Sequence, residues 1–279
     1  MNAITLETVA ADLERLPALP EVVQDLLDYL RRQEVDVAQV AHRVARDPAL
    51  AAKLLRVANS SFYGLQGQVA TINDALVVLG LRAVRTLVMG AALVAHFRTL
   101  AAADFDRRAF WAHSAGTALC ARVLARERGA NAENAFTAGL LHDIGRLILA
   151  ARHPEAYQGV EARRAAQDGY PLDAEREVLG FDHAQIGAVL AARWKFPQEI
   201  AAAIAAHHAP ADQPGASLAD LIHVADVMAH ALEFPGGEDD LVPRLSTVAW
   251  NRLGLGWNEF TRLLGEADAL RGDAELVLE

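Results

Sequence analysis

Helical periodicity is the feature that most constrains how this chain can fold. Between residues 21 and 32, apolar side chains recur at the spacing of one helical face, at Val22, Val23, Leu26, Leu27 and Leu30. The same spacing returns along most of the 279 residues, and no long stretch alternates apolar and polar residues with a period of two. No internal repeat of roughly 20 to 50 residues is evident. The sequence therefore predicts an all-α protein, a multi-helix bundle.

Capping residues indicate where the helices begin and end. Asp36 with Gln39 resembles a capping box, and Asp47 precedes a proline at a first helical position. Asn131 is expected to cap one continuous helix that reaches Arg152. The other predicted helices are 37–45, 48–58, 71–79, 81–97, 108–126, 154–167, 173–179, 182–194, 197–207, 217–232, 242–253 and 258–270.

Composition and charge exclude several classes of function. The net charge is −10, which argues against nucleic-acid polymers and anionic membranes as partners. The run Thr86–Ala95 is shorter than the roughly 20 residues that span a bilayer, so no membrane segment is expected. Cys120 is the only cysteine, which excludes an intrachain disulfide and a cysteine-rich zinc site. We expect a cytoplasmic protein.

The pair His142-Asp143 lies inside the apolar run Ala138–Arg146. Burying an imidazole and a carboxylate is costly unless something binds them, and these two groups together suit a divalent cation. Adjacent helical residues point about 100° apart. The carboxylate could therefore bridge two ions while His142 completes the shell of one of them.

Other helices supply further ligand types, and the whole set predicts a metal site more strongly than any member does. Each histidine alone is more often structural. Gly116 follows His113 by three residues and Gly187 follows His183 by four, so another helix could approach both histidines closely. The candidate ligands outside the central pair are His113, His183, His207, His208 and Asp226.

Two sets of side chains have competing interpretations. His223 and His230 share a helical face with Asp226, so they could bind metal, orient Asp226, or be solvated, and solvation is favoured. Phe62 and Tyr63 lie in a glycine-containing loop, where they could fill the core or anchor a partner protein.

The order of these ligands resembles the HD superfamily of metal-dependent phosphohydrolases and, more closely, its HDOD (HD-related output domain) branch of bacterial signalling proteins. The resemblance spans about Leu13 to Leu232. Its motifs are Leu16-Pro17-Ala18-Leu19-Pro20, Asp47-Pro48-Ala49-Leu50, Lys53-Leu54-Leu55, Asn59-Ser60, Leu79-Gly80, Gly139-Leu140-Leu141-His142-Asp143-Ile144-Gly145 and Trp194-Lys195-Phe196-Pro197.

This resemblance implies a site for a divalent metal, with room for two ions, whose identity could be Fe, Mn, Zn or Ni. The implied ligands are His113, His142, Asp143, His183, His207, His208 and Asp226. Asp143 and Arg146 are the implied catalytic residues, with Arg146 holding a phosphate through its planar fork. The implied organisation is an N-terminal helical part at 1–102, packed on an HD-like part at 103–235, and a C-terminal helical extension at 236–279.

Departures from the enzyme pattern restrict the implied function. No Gly-Tyr-Pro segment follows His207-His208, which argues against cyclic di-GMP hydrolysis, and Arg146 replaces the lysine usual in that branch. Ala109, four residues before His113, argues against a third metal. The favoured hypothesis is a signal-transduction module that acts through a protein partner or a nucleotide ligand. The alternatives are a metal-dependent phosphohydrolase and a nucleotide sensor that does not hydrolyse its ligand.

Overall fold

The computed structural model describes residues 4–14, 36–60, 69–81, 83–84, 88, 105–210, 214–234 and 241–272. Within these ranges every regular element is a helix, so the all-α prediction is confirmed. The predicted helix at 21–32, most of the predicted helix at 81–97, and the loop residues Phe62 and Tyr63 lie outside the described residues.

Within residues 105–210 the helices follow one another with short connections. A further helical stretch covers 72–81. The labelled helices are α1 (Leu6–Glu14), α2 (Val37–Ala45), α3 (Pro48–Ala58), α4 (Arg107–Glu127), α5 (Ala132–Leu141), α6 (Ile144–Arg152), α7 (Pro154–Gln167), α8 (Pro171–Leu179), α9 (His183–Arg193), α10 (Gln198–Ala206), α11 (Leu218–Ala231), α12 (Thr247–Leu253) and α13 (Trp257–Ala269).

Side-chain caps explain many of these bounds. The Asn131 side chain accepts hydrogen bonds from the first turn of α5, as predicted. Full capping boxes begin α9, through Asp182 and Gln185, and α11. The predicted box before α2 is only half formed. Asp36 caps the helix, but Gln39 accepts a hydrogen bond from Arg43 instead of turning back to the cap.

The helix expected to run unbroken to Arg152 is in fact two helices, which corrects the prediction. α5 ends at Leu141, α6 begins at Ile144, and Asp143 has φ −99° and ψ 7°, outside the helical range. The apolar pattern continues through the break because both helices are buried on either side of it. The pair His142-Asp143 therefore forms a buried turn and not a helical face.

The contacts divide the described residues into two units. One lies within Met1–Leu16 and Leu100–Gly265, and the other within Pro17–Thr99 and Glu266–Glu279. In the first unit α4 is buried from Phe110 to Ala125 apart from Ala112 and packs against α5 and α11, while α9 packs against α6 and α10. The sequence-based boundaries at residues 102 and 235 stay a prediction.

Two glycines show how closely the elements of the first unit approach. A Cβ atom on Gly139 would lie 2.8 Å from the Cα of Ala118, so α5 approaches α4 at backbone distance. A Cβ atom on Gly145 would lie 2.0 Å from the carbonyl oxygen of His183. Glycine is therefore required at both positions. Among the described residues, no helix combines the length and apolarity needed to cross a bilayer.

Candidate metal centre

The first unit brings together all seven ligands predicted from the sequence. Two lie in the turn between α5 and α6, one begins α9, two follow the end of α10, and the remaining two lie within α4 and α11. Six of the seven are buried, and His208 is half-buried. In chain order they are His113, His142, Asp143, His183, His207, His208 and Asp226.

One cluster of ligand atoms surrounds Asp143. Its Oδ1 atom lies 3.0 Å from Nε2 of His183 and 3.5 Å from Nε2 of His207. Nε2 of His208 lies 2.8 Å from Nε2 of His183. One ligand atom from each of these four residues falls within 4.8 Å of the others, which is close enough for a single cation.

A second cluster surrounds Asp226. Its Oδ1 atom lies 3.1 Å from Nε2 of His113, 3.4 Å from Nε2 of His230 and 3.6 Å from Nε2 of His142. Nε2 of His142 is also 3.5 Å from Oδ1 of Asp143. His142 therefore stands between the two carboxylates and makes the clusters adjacent.

The favoured interpretation of His223 and His230 as solvated side chains is wrong. The side chain of His230 is only 11% exposed, and it points at Asp226. His223 is 4% exposed, and the backbone N–H of Ser246 donates to its Nε2 at 2.8 Å. Its Nδ1 must then carry the proton that is donated to the His207 carbonyl oxygen, also at 2.8 Å. His223 thus positions His207 and is not available as a ligand.

Backbone carbonyls orient two of the ligand rings. Nδ1 of His142 donates to the carbonyl oxygen of Gly139 at 2.7 Å, and Nδ1 of His207 donates to that of Ile204 at 2.8 Å. In the neutral form that binds metals an imidazole carries one proton, so Nε2 of each ring would direct a free lone pair at the clusters. This is the arrangement typical of histidine ligands in metal sites.

Glu175 in α8 orients a third ring, although it is not among the site residues predicted from the sequence. Its Oε2 accepts hydrogen bonds from the backbone N–H of His183 at 2.8 Å and from Nδ1 of the same residue at 2.6 Å. The side chain is 3% exposed. A usable signal exists in the sequence, because Glu175 follows Leu172 by three residues and precedes Leu179 by four, which places a carboxylate on an apolar helical face.

Both central carboxylates are held in the ionised state. Burial raises the pKa of Asp143, but His142 and His183 outweigh burial and hold that pKa well below its usual range. Burial likewise raises the pKa of Asp226, and hydrogen bonds from its histidine neighbours hold it well below the usual range. The centre therefore carries two negative charges in a buried setting.

The histidines divide into two electrostatic groups. Burial lowers the pKa of His113, His207 and His208, which favours the neutral form that binds metals. For His142 and His183 burial also lowers the pKa, but neighbouring carboxylates outweigh it. Asp143 and Asp226 raise the pKa of His142, and Glu175 and Asp143 raise the pKa of His183 to about 10. The negative field that holds a proton on His183 would equally attract a metal cation.

The residues present fit a divalent metal. Oδ1 of Asp143, Nε2 of His207 and Oδ1 of Asp226 are fully buried and make no well-aligned hydrogen bond within the described part of the chain. Unsatisfied buried acceptors are costly, and here several converge on a small volume. Imidazole and carboxylate without thiolate is a donor set for iron, manganese, zinc or nickel.

A cavity of about 220 Å³ opens onto the centre. Its lining includes Asp143, His183 and Asp226 of the centre, and Arg146 and Arg244, which supply positive charge. Nη1 of Arg146 lies 3.2 Å from Oδ2 of Asp143. A ligand in this cavity would meet the centre and two guanidinium groups together.

The fold and the centre define the class, an all-helical protein with a candidate His/Asp metal site. The HDOD domain model matches residues 16–210, and the chain belongs to the HDOD family. A crystal structure of a candidate phosphohydrolase from Shewanella amazonensis SB2B is similar at TM-score 0.77 and 29% identity, covering 97% of this chain and 98% of that one. A candidate signal transduction protein from Marinobacter aquaeolei VT8 has TM-score 0.72 and 27% identity, covering 100% of this chain and 62% of that one.

Curated relatives match over shorter shares of their own length. Ribonuclease Y from Desulfotalea psychrophila is 34% identical over 131 residues, which is 47% of this chain and 19% of the relative. An uncharacterized protein from Treponema pallidum is 26% identical over 203 residues, 72% of this chain. The chain spans 39% of the length of that relative.

Proposed function

We propose that this chain is a metal-dependent phosphohydrolase of the HDOD family that acts on a phosphate ester. The observation that carries the proposal is the position of Asp143, whose carboxylate groups with His183, His207 and His208 and also with His113 and His142, and which lines a cavity together with Arg146. The similarity to the candidate phosphohydrolase from Shewanella amazonensis supports the same reaction class. These two observations support hydrolysis over the partner-recruiting module favoured from sequence.

Two divalent ions would be held side by side. Asp143, His183, His207 and His208 would hold one, and the cluster around Asp226 would hold the other with His113, His142 and His230. A divalent cation in such a site polarises a phosphoryl oxygen and activates water for attack on phosphorus. A ligand atom of Asp143 also lies within 4.8 Å of ligand atoms of His113 and His142, so its carboxylate would be available to both sets.

The side chains of this protein would position and stabilise the reacting groups. Hydrolysis joins a water oxygen to phosphorus, breaks the bond to the ester oxygen, and moves a proton from that water to the departing alcohol. Negative charge grows on the remaining phosphoryl oxygens, and the planar guanidinium of Arg146 is placed to donate to two of them. Its hydrogen bond to Asp143 holds it at the centre.

Hydrolysis of p-nitrophenyl phosphate, a monoester, and of bis(p-nitrophenyl) phosphate, a diester, by protein loaded with Mn²⁺ tests this proposal. We expect Asp143→Asn to abolish turnover and Arg146→Gln to lower kcat by about 100-fold to 1,000-fold, the usual cost of removing one charge-stabilising donor. Arg163→Gln is the matched control, because Arg163 pairs with Glu177 on the exposed surface. Wild-type turnover by Asp143→Asn, or no turnover by the wild-type protein with Mn²⁺, Fe²⁺, Zn²⁺ or Ni²⁺, contradicts the proposal.

Signal transduction through a partner protein is the second candidate function. The structural similarity to the candidate signal transduction protein from Marinobacter aquaeolei favours it, as does membership of the HDOD family. The Asp143→Asn variant separates the two functions, because a recruiting surface does not need the central carboxylate to be charged.

A further inference from the structure

The cavity above the metal centre has a second wall that the proposed hydrolysis does not use. Tyr170, the N-cap residue of α8, and Arg244 both line it. The guanidinium carbon of Arg244 lies over the ring of Tyr170, 5.6 Å from its centroid. The Tyr170 hydroxyl donates to the carbonyl oxygen of Val242 at 3.3 Å, which ties the start of α8 to the segment carrying Arg244. Tyr170 and Arg244 together are called the aromatic wall below.

The neighbours of the aromatic wall in the cavity lining are mostly apolar. Beside Tyr170 and Arg244 the lining includes Pro171, Leu172, Leu241 and Pro243, together with the exposed residue Asp173. The cavity therefore combines residues rich in ligand atoms with a second group of residues that is mostly apolar and carries one cation and one carboxylate. A ligand that matches both sets of residues must carry an anionic group at one end and a flat apolar group at the other.

The aromatic wall is positioned relative to the metal centre by α8. Tyr170 precedes Glu175 by five residues, and Glu175 binds both the backbone and the ring of His183. The same short helix thus fixes a metal ligand and the aromatic ring. A phosphate held at the centre would leave the rest of its ester directed along the cavity, within which the ring is the largest flat surface.

The chemistry of the aromatic wall suits a planar ring. Aromatic side chains stack on nucleobases with little dependence on the base, and a guanidinium above the ring adds a cation–π contribution. The cavity of about 220 Å³ is small beside typical ligand sites, which admits one such unit and not a polymer strand.

We infer that Tyr170 and Arg244 form a recognition site for the planar ring of a phosphate ester, so that the preferred substrate class is a mononucleotide. The inference rests on the proposed function, because the metal centre supplies the phosphate end of the site. It assigns selectivity to residues outside the metal centre.

Calorimetric titration of the full chain loaded with Mn²⁺ tests this inference with probes that resist hydrolysis. The probes are the 5′-phosphonate analogue of AMP and the matching phosphonate of ribose, which lacks the base. We expect the AMP analogue to bind about tenfold more tightly than the ribose analogue, since stacking on an aromatic ring contributes about 1–3 kcal/mol. Tyr170→Ala should remove that tenfold difference and leave the ribose analogue within about twofold of wild type.

Two further variants keep the test informative. Tyr170→Phe retains the ring and should retain the preference for the AMP analogue. Arg244→Gln, at an exposed position, should weaken the AMP analogue about threefold to fivefold, the factor expected for an exposed cation–π contact. The Arg244→Gln measurement still tests the inference if the Tyr170→Ala variant does not fold.

The outcomes distinguish the wall from the centre. Equal affinity of the two analogues for wild type, or equal weakening of both by Tyr170→Ala, overturns the inference and leaves the proposed function standing. If neither analogue binds to protein whose metal content has been verified, the proposed function fails, and the inference fails with it.

Discussion

At the scale of single residues, the arrangement of His183 depends on a side chain that is not itself a candidate ligand. Glu175 accepts hydrogen bonds from the backbone N–H and the ring Nδ1 of His183, and it is almost fully buried. This fixes the ring orientation and directs Nε2 at Asp143, 3.0 Å away. A carboxylate behind a histidine ligand also increases the basicity of the ring, which strengthens metal binding.

Replacement of Glu175 should therefore weaken metal binding without touching a ligand. We expect Glu175→Ala to lower the affinity for Mn²⁺ by about 10-fold to 100-fold. Glu175→Gln keeps an acceptor oxygen but loses the charge, so its loss should be smaller. Metal titration followed by competition with a chelator measures both variants.

Glu177→Gln on the same helix is the control for Glu175. Its carboxylate is exposed and pairs with Arg163 at 2.8 Å, far from any ligand atom, so its metal affinity should equal that of wild type. Circular dichroism confirms that each variant is folded. Unchanged affinity in a folded Glu175→Ala variant would remove Glu175 from the account of the centre.

The sequence could predict which candidate ligands lie close together because metal chemistry restricts residue type. Histidine and aspartate in buried helical settings are few, and the structure brings all seven candidates together. The roles of Glu175, His223 and His230 were not predicted, because each role depends on which neighbouring group the ring or carboxylate contacts. Helical spacing alone places His230 and His223 on the same face as Asp226. Only the His230 ring contacts the Asp226 carboxylate, whereas the His223 ring donates to the His207 carbonyl oxygen.

At the scale of secondary structure, the turn between α5 and α6 places two neighbouring residues in different clusters of candidate ligand atoms. Asp143 leaves the helical conformation, and the chain resumes at Ile144 in a new direction. Gly145 allows the start of α6 to contact the backbone of His183, where any Cβ atom would lie 2.0 Å from a carbonyl oxygen. The close contact brings the His142-Asp143 turn up against the first residue of α9.

Adding one methyl group at Gly145 should disrupt this contact. We expect Gly145→Ala to lower the free energy of unfolding by about 3 kcal/mol, the upper end of the cost of overpacking, because the neighbouring atoms are backbone and cannot rotate away. Urea denaturation monitored by circular dichroism measures the change. Metal affinity should fall in the same variant.

Gly159→Ala provides a control of opposite sign. Gly159 lies in the interior of α7, is exposed, and has only Cγ1 of Val178, at 3.8 Å, near the position of an added Cβ. Alanine there should raise the free energy of unfolding by about 0.5–1 kcal/mol. Wild-type stability in Gly145→Ala would show that the turn tolerates displacement from α9.

Local signals predicted helix bounds well wherever a side chain caps the helix. α2, α3 and α7 begin and end at the residues expected from Asp36, from the Asp47-Pro48 pair and from Pro154. The break at His142-Asp143 was not predictable, because it follows from packing against α9 and the apolar period is uninterrupted. Gly187 was expected to allow close approach of another helix, and Ile204 of α10 does contact it. Gly116 was expected to do the same, but the ring of Phe234 fills the space beside it.

At the scale of the whole molecule, the candidate ligands come from distant parts of the chain. They span His113 to His230 and belong to helices or turns throughout the first unit, which also contains α1 and α12. The chain divides into two units, and residues 1–16 belong to the same unit as residues 100–265. This division depends on contacts between residues far apart in sequence, which local sequence patterns do not predict. A cation bound by side chains so far apart in sequence would stabilise the fold of the entire unit.

Metal analysis of protein purified without chelator tests the central claim, that this centre binds divalent metal, most directly. We predict about two transition-metal ions per chain in the wild-type protein, since neutral imidazoles and carboxylates in a buried site retain their ions. The double variant His142→Ala, Asp143→Ala should lose them. Less than about one ion per chain in the wild-type protein, or wild-type metal content in the double variant, would contradict the account.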